Sequence, residues 1–425
     1  MKNTKKVLLV CLIAVLAISV VFVGCAKKEE GLVLNVMGYG DNAGAEGQTF
    51  LRIIDAFQAE NPDITVVSEM LFDEAYHQKV VARLASGDVP DVAYMGSDAR
   101  WGAPWVEGNQ QADITSYIDA SVYDTAKFGG VDTAAGAYTY VPLGTGNYCT
   151  VMFTNEKLIK ELGFDTPKTY EDLVAMVPAA KAAGIEVLST HGADSWVWGS
   201  CYMSTAVAQT TGKADWPQQL VAGKVKWSDP DALAALETLE MMVADGVMSP
   251  EVVLIDDGTG KSNFSQGKAL CYLDGQWAAG GFSAEIQETM GMEPIPALPG
   301  AKGQTSTIAA AKQTGYGVSQ AAIDAGKADA AMKFINFFNS VVEVEQRIRD
   351  GGITGSVLAN HVLPTDLPRV ATLKNDLGSK VGPLTQVIDS QLTGDPNTIL
   401  CTGMQEIVSG KKSAAEVAAA VDAAM

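Results

Sequence analysis

Apolar positions recur along this chain with the periods of strands and helices in turn. Leu32 to Met37 is apolar and β-prone, and a helix is predicted from about Glu46 to Glu60, where apolar residues recur at i, i+3, i+4 and i+7. Those apolar residues are Phe50, Ile53, Ile54 and Phe57. Asn61-Pro62 ends the helix, and Ile64 to Val67 is the next predicted strand. The strand, helix, strand order predicts a parallel sheet.

Polar and aromatic residues gather directly after the predicted strand ends. Tyr39 and Asp41 follow the first strand, and Asp98 and Trp101 follow another buried strand at Pro90 to Met95. In a parallel sheet the loops at the carboxyl ends border the crevice where ligands bind. Tyr39, Asp41 and Asp98 are therefore candidate binding residues. For Asp98 the alternative is a helix N-cap.

The stretch from Tyr138 to Lys157 is predicted to carry the chain from one lobe to a second. An apolar run ends at Leu143, four breaker residues follow from Gly144 to Asn147, and a strand resumes from Tyr148 to Phe153. Proline fixes φ and glycine frees it, so the backbone can change direction here without disrupting a packed element. The alternative is an ordinary loop between two strands of one sheet.

Two later helix starts carry capping signals. Thr169 with Asp172, and Ser413 with Glu416, fit the spacing of a capping box. Pro178 lies inside the first of these helices and is expected to kink or shorten it.

Tryptophans follow two further predicted strands. Ile185 to Leu188 leads into a polar segment that contains Trp196 and Trp198, and a strand ending near Leu273 leads into Gly275-Gln276-Trp277. Two tryptophans on one polar, glycine-flanked segment are not both expected to be buried. For Trp277 the alternative is a core position.

The chain is predicted to return twice between the lobes. Pro294, Pro296 and Pro299 exclude a helix or a central strand and indicate an extended crossing back to the first lobe. Thr314 to Ser319 is then a strand of that lobe, with Tyr316 close to the cleft. Beyond Gly351-Gly352 the chain goes back to the second lobe. At least three crossings suit hinge bending rather than independent tumbling of two lobes.

The composition of the chain excludes several classes of function. With 425 residues and 47% hydrophobic content the chain is globular and large enough for two lobes. Its formal net charge of -20 repels phosphate backbones, so no nucleic-acid partner is expected. The glycines do not spell a dinucleotide-binding motif, there is no CxxC pair, and the chain has only 3 histidines with no HExxH. We therefore expect no cofactor and no metal.

The first residues have the form of a secretory signal. Lys2, Lys5 and Lys6 precede an uncharged apolar run from Val7 to Val23, and Gly24-Cys25 follows. An uncleaved membrane anchor is the alternative. The end of the run resembles a bacterial lipobox, which implies a signal peptide over 1–24, a lipid on Cys25 and a lipidated tether over 25–31. The later cysteines, 149, 201, 271 and 401, permit disulfides or buried free thiols.

Three blocks of sequence carry a family resemblance. FQAENPDITV from Phe57, SGDVPDVAYM, and the crossing VPLGTGNYCTVMFTNEKL resemble the family 1 extracellular solute-binding proteins of ATP-binding-cassette importers, the maltose-binding-protein-like group. The resemblance implies an α/β fold of the type II periplasmic-binding-protein kind, with two lobes, a ligand cleft between them and three crossing segments. It places lobe 1 at 32–143 and 300–345, and lobe 2 at 144–299 and 346–425.

The same resemblance implies a sugar ligand held in the cleft and handed to membrane permease subunits by a monomeric, lipid-anchored binding protein that is not an enzyme. Flat aromatic faces suit the C–H side of a sugar ring, and planar polar groups suit its hydroxyls. The predicted ligand-binding residues are Trp277, Trp196, Asp41, Asp98, Tyr39, Asn147, Tyr148, Gln276 and Tyr316. Trp277 matches the family's G-x-W, whose tryptophan stacks on sugar, and Trp198 is assigned to packing.

Two positions depart from the maltose-binding pattern. Met95 stands where a stacking tryptophan is expected, and Tyr148 stands where a carboxylate is expected. A malto-oligosaccharide is therefore disfavoured, and a shorter sugar or a non-sugar solute such as a polyol or a sugar phosphate stays open. A lipid-anchored glycosidase that uses Asp41 and Asp98 as a carboxylate pair is the rival from another class.

Overall fold

The structure is a computed structural model that describes residues 31–40, 45–72, 74–128, 136–302, 306–311 and 313–425. The predicted signal peptide, Cys25 and Asp41 lie outside these residues. Within the described ranges, no helix combines the length and the apolar character needed to cross a bilayer.

The described strands form two main sheets and a short two-stranded ribbon. The strands are β1 (Leu32–Tyr39), β2 (Ile64–Leu71), β3 (Val92–Met95), β4 (Tyr140–Pro142), β5 (Val151–Asn155), β6 (Glu186–Ser189), β7 (Ala269–Asp274), β8 (Met290–Glu293), β9 (Ile308–Ala310), β10 (Gly315–Val318) and β11 (Leu384–Gln386). The first sheet has the order β2-β1-β3-β10-β4, the second β6-β7-β5-β8, and β9 pairs with β11. The α/β class and the two-sheet organisation are confirmed.

Helices cover the sheets and supply most of the core. They are α1 (Ala45–Glu60), α2 (Glu74–Ser86), α3 (Ala103–Glu107), α4 (Glu156–Glu161), α5 (Tyr170–Ala183), α6 (Ser204–Thr211), α7 (Trp216–Val221), α8 (Pro230–Ala244), α9 (Asp257–Ser265), α10 (Ala284–Thr289), α11 (Gln320–Asp324), α12 (Ala328–Phe338), α13 (Val341–Arg349), α14 (Arg369–Lys380), α15 (Asp395–Val408) and α16 (Ala414–Ala424). A π-helix, Trp198–Met203, precedes α6.

The predicted parallel pairing holds for the first three strands of the first sheet. β1 runs parallel to both β2 and β3, whereas β10 runs antiparallel to β3 and β4. Helix α1 packs one face into the core, where Phe50, Ile53 and Phe57 are at most 3% exposed. The ring of Phe57 meets that of Phe334 edge-on at 5.2 Å. The helical period that predicted α1 is thus the period of its buried face.

The stretch from β4 to β5 joins the two sheets, so the alternative of a loop within one sheet is excluded. Gly146 in this stretch forms a β-bridge with Thr354, which belongs to the last return of the chain. The lobe boundaries stay a prediction. Ile348 and Val357 pack in the core of the first sheet, so we propose that the last boundary lies beyond residue 358 rather than at 345/346.

The second core is built largely from helices. Thr169 and Asp172 form a complete capping box at the start of α5, as Ser413 and Glu416 do for α16. Pro178 lies inside α5, which continues to Ala183, so of the two expected effects the shortening is wrong and the kink stays a prediction. The cysteines at 149, 201, 271 and 401 are all free and buried.

Candidate ligand-binding site

The second sheet gathers a polar and aromatic edge beside the crossings. β6 and β7 are parallel neighbours, so the residues that follow their carboxyl ends come together. His191 and Trp196 follow β6, and Asp274 and Trp277 come from the end of β7 and the turn after it. The two indoles lie 6.0 Å apart between centroids with their planes at 49°. Both are partly exposed, so they offer apolar faces at this edge.

Gly275 makes room for the indole of Trp277. A Cβ at Gly275 would fall well inside 3.0 Å of the Trp277 ring, a distance that real Cβ atoms do not show. Trp277 also packs against a small buried cluster of Cys149, which precedes β5, Ala309 of β9 and Val387, which follows β11. The glycine of the G-x-W sequence is therefore required by close packing, and Trp277 sits where the crossings meet the second lobe.

A buried ion cluster lies directly beneath the two tryptophans. His191 is fully buried, with Nδ1 2.9 Å from Asp194 Oδ2 and Nε2 3.3 Å from Asp274 Oδ2. Burial alone would lower the pKa of His191, but Asp274 and Asp194 raise it to about 10. Burial would raise the pKa of Asp274, but His191 and Lys261 hold it below its usual value. Lys261 in turn pairs with Asp257 at 2.7 Å.

In the first lobe an aromatic cluster surrounds the end of β1. Tyr39 stacks on Tyr94 at 5.4 Å and meets Trp101 edge-on at 4.9 Å. Tyr76 and Phe72 also lie within 5.5 Å of Tyr39, centroid to centroid. Tyr39 and Trp101 remain partly exposed, so this cluster is the aromatic wall of the first lobe.

Asp98 shapes the turn that carries Arg100. Its Oδ1 accepts hydrogen bonds from the backbone N–H groups of Arg100 at 3.0 Å and Trp101 at 2.8 Å, so Asp98 caps a turn. It is not a helix N-cap, because the N-cap of α3 is Gly102. Arg100 Nε donates to His77 Nε2 at 3.0 Å. Burial and, to a smaller extent, the charge of Arg100 lower the pKa of His77 to about 3, so the imidazole is neutral and its Nε2 accepts the hydrogen bond. This hydrogen bond holds the guanidinium of Arg100 in place.

Sequence reasoning missed Asp389, a buried acid that follows β11. Both carboxylate oxygens of Asp389 lie within 2.8 Å of Ser200 Oγ. Burial raises the pKa of Asp389, and the hydrogen bond from Ser200 and the positive charge of Arg100 partly offset that effect. Ser200 lies in the π-helix, a distortion that recurs at functional sites. No local signal marked Asp389, because its partners are distant in sequence.

The remaining predicted residues fall into two groups. Tyr316 is only 2% exposed and its ring packs between Phe50 and Phe338 in the first core, so it presents no face to the cleft. The others lie at the crossings. Gln276 donates to the Gly146 carbonyl at 2.6 Å and accepts from Thr354 at 3.0 Å.

Asn147 and Tyr148 shape the same crossing through their backbone groups. The Asn147 carbonyl accepts from the Ala311 N–H at 3.0 Å, and the Tyr148 carbonyl accepts from the Gln276 N–H at 2.9 Å. Both side chains are partly exposed. The structure therefore brings Trp196 and Trp277 together at the second sheet, places Tyr39 and Asp98 beside the first sheet, and puts Asn147, Tyr148 and Gln276 at the crossing between the sheets.

A comparison with sequence families gives one profile that matches residues 41–342, described as bacterial extracellular solute-binding protein. Among curated proteins, an uncharacterized ABC transporter extracellular-binding protein of Pyrococcus horikoshii is 23% identical over 288 residues, 64% of this chain. The multiple sugar-binding protein of Streptococcus mutans serotype c is 25% identical over 247 residues, 54% of this chain. The chain spans 63% and 54% of the lengths of these relatives.

Solved structures share the fold over most of the chain. A chitin oligosaccharide binding protein superposes with a TM-score of 0.78 at 21% identity, covering 91% of this chain and 97% of that one. At this identity the likeness is one of fold, and it agrees with two lobes around a cleft.

Proposed function

The chain belongs to the bacterial extracellular solute-binding proteins, a family of exported binding proteins and not of enzymes, and on that premise we propose that it captures a carbohydrate between its two lobes and delivers it to an ATP-binding-cassette permease. The multiple sugar-binding protein among its relatives supports a sugar as the solute class. The sequence has no GxxxxGK[ST] motif, so the ATPase of the importer would supply the energy of transport.

The observation that carries this proposal is the pair of partly exposed indoles, Trp196 and Trp277, at the crossing edge of the second lobe. A sugar ring lying on Trp277 would place its hydroxyls toward the polar groups on either side, with Arg100 and Asp98 on the first lobe and Asp389 on the second. Micromolar binding corresponds to about 8 kcal/mol, so one or two stacking contacts and a few hydrogen bonds are sufficient.

Calorimetry with a sugar found by thermal-shift screening tests the proposal. The screen covers mono- and oligosaccharides, polyols and their phosphates, because a ligand bound only to the folded state raises the melting temperature. Trp277→Ala is expected to weaken the ligand by about 2 kcal/mol or more, taking the scale of interface hot spots. Trp277→Phe keeps a flat apolar face and is expected to lose less.

Unchanged affinity in Trp277→Ala, with an unchanged melting temperature of the free protein, would remove Trp277 from the site. A screen in which only polyols or phosphates stabilise the protein would reject a sugar. Turnover of a chromogenic glycoside that Asp98→Asn abolishes would overturn the assignment as a binding protein and favour the glycosidase.

We further propose that the mature protein is a monomer held to the outer face of the membrane by a lipid on Cys25. The support is the sequence, in which an apolar run and a glycine precede Cys25 and a short charged tether follows it. Cys25→Ala is expected to shift the protein from the membrane to the soluble fraction. Continued membrane retention of that variant would indicate an uncleaved helix instead.

A further inference from the structure

The ion cluster beneath the tryptophans contains polar atoms that the protein leaves without hydrogen-bond partners. His191 Nε2, Asp274 Oδ2 and the hydroxyl of Tyr272 are all buried and make no hydrogen bond among the described residues. His191 Nε2 and Asp274 Oδ2 face each other at 3.3 Å without the geometry of a hydrogen bond. Leaving several buried polar atoms unsatisfied in one place is costly, and it indicates a missing group.

The arrangement around these atoms is that of a ligand set for a divalent metal. One atom each from His191, Asp257 and Asp274 can be chosen so that all lie within 4.8 Å of one another. Ligands about 2.0–2.2 Å from a tetrahedral zinc ion are about 3.3–3.6 Å apart, which the His191 and Asp274 atoms already match at 3.3 Å. Asp257 is partly exposed near the start of α9 and can turn toward the other two.

The carboxylate behind His191 and the net charge of the cluster both fit a bound cation. His191 Nδ1 is 2.9 Å from Asp194, and a carboxylate behind a histidine is the usual way to fix which ring nitrogen binds a metal. Asp194, Asp257 and Asp274 contribute three negative charges, against which Lys261 sets one positive charge. An ion bound at His191 Nε2 takes the place of the imidazole proton, and with that neutral imidazole the cluster carries two negative charges, which a divalent ion balances. Asp257 has enough lone pairs to keep Lys261 while it ligates.

We propose that His191, Asp257 and Asp274 form a site for a divalent transition-metal ion of the zinc type, with Asp194 as the supporting carboxylate. An imidazole ligand favours zinc over magnesium or calcium. Because His191 follows β6 and Asp274 ends β7, a bound ion would tie together the two strand ends from which Trp196 and Trp277 project. No sequence motif marks this site, since its ligands lie on three separate segments.

The test uses the protein after treatment with a chelator, followed by titration with ZnCl₂ under calorimetry and with CoCl₂ under visible absorption. We expect one zinc equivalent per chain and a visible band from four-coordinate cobalt. His191→Gln and Asp257→Asn are each expected to weaken zinc binding at least 10-fold. Asp257 is partly exposed, so its variant is expected to fold even where a change at the buried histidine does not.

His361→Gln is the matched control. His361 is also nearly buried and pairs with a carboxylate, Glu345, at 3.1 Å, but it lies away from the cluster. The zinc affinity of the His361→Gln variant is expected to equal that of the unaltered protein. The proposal is overturned if the protein binds no zinc, or if zinc binding survives in both His191→Gln and Asp257→Asn. Absence of zinc binding would mean that the ion pairs of His191 with Asp194 and Asp274 hold the cluster without a metal, and binding that survives in both variants would place the zinc elsewhere on the protein.

Discussion

Gln276 links the second lobe to two crossings of the chain, and its removal is expected to weaken the fold at that junction. The side chain is 5% exposed, donates to the Gly146 carbonyl and accepts from the Thr354 hydroxyl. Gln276→Ala deletes both hydrogen bonds. Thr354 is 6% exposed and would be left unsatisfied, whereas Gly146 is partly exposed and can turn to water.

The size of the expected loss in stability follows from this difference in burial between Thr354 and Gly146. A buried polar group left without a partner costs about 1–3 kcal/mol, and an ordinary hydrogen bond contributes about 1 kcal/mol. We expect a loss of about 2 kcal/mol in the free energy of unfolding, which lowers Tm by roughly 4–8 °C for a unit of 150–250 residues. Scanning calorimetry of the ligand-free protein measures this shift.

Two further variants sharpen the measurement. Thr354→Val removes the hydroxyl, so a double mutant with Gln276→Ala should lose less than the sum of the single changes. Gln266→Ala is the control, because Gln266 bonds Ser262 on an exposed helix surface and its loss should stay within about 0.5 kcal/mol. If Gln276→Ala melts like the unaltered protein but no longer binds sugar, its amide acts on the ligand and our reasoning fails.

Three other predictions address the site, the buried charges and the helix caps. Gly275 has a backbone conformation open to any residue (φ -82, ψ 167), but the methyl group of Gly275→Ala would collide with Trp277. This variant should therefore bind sugar about ten-fold more weakly in calorimetry, whereas Gly352→Ala, whose methyl group has more room, should keep its affinity. Equal affinities of the two variants would contradict this. Burial lowers the pKa of Lys374 from 10.5 to about 8. Between pH 8 and pH 10.5 Lys374 is therefore protonated in the unfolded chain and neutral in the folded one, so the free energy of unfolding rises with pH, by up to about 3 kcal/mol. Urea unfolding at pH 7 to 10.5 should show this rise in the unaltered protein and not in Lys374→Met; parallel curves would refute it. Thr169→Ala should cost about 1 kcal/mol by loss of the capping box and Thr169→Ser much less; a Thr169→Ser variant as unstable as Thr169→Ala would show that packing of the methyl group matters instead.

The sequence by itself determined the local elements and their order. Helical spacing located α1 and its buried face, and capping residues located the starts of α5 and α16, because these features depend on neighbours within four residues. Prolines and glycines marked the crossings for the same local reason. The position of Trp196 and Trp277 just after predicted strands also marked them as candidates, although no local pattern shows which face of each indole is exposed.

Only the tertiary structure decided which side chains meet. Ser200 and Asp389 are separated by 189 positions, and the three proposed metal ligands come from separate segments, so no spacing pattern could pair them. Alternation along β10 shows which residues share a face but not which face is core, and Tyr316 consequently proved to be buried. Local periodicity fixes the faces of an element, whereas its partners depend on how distant segments pack.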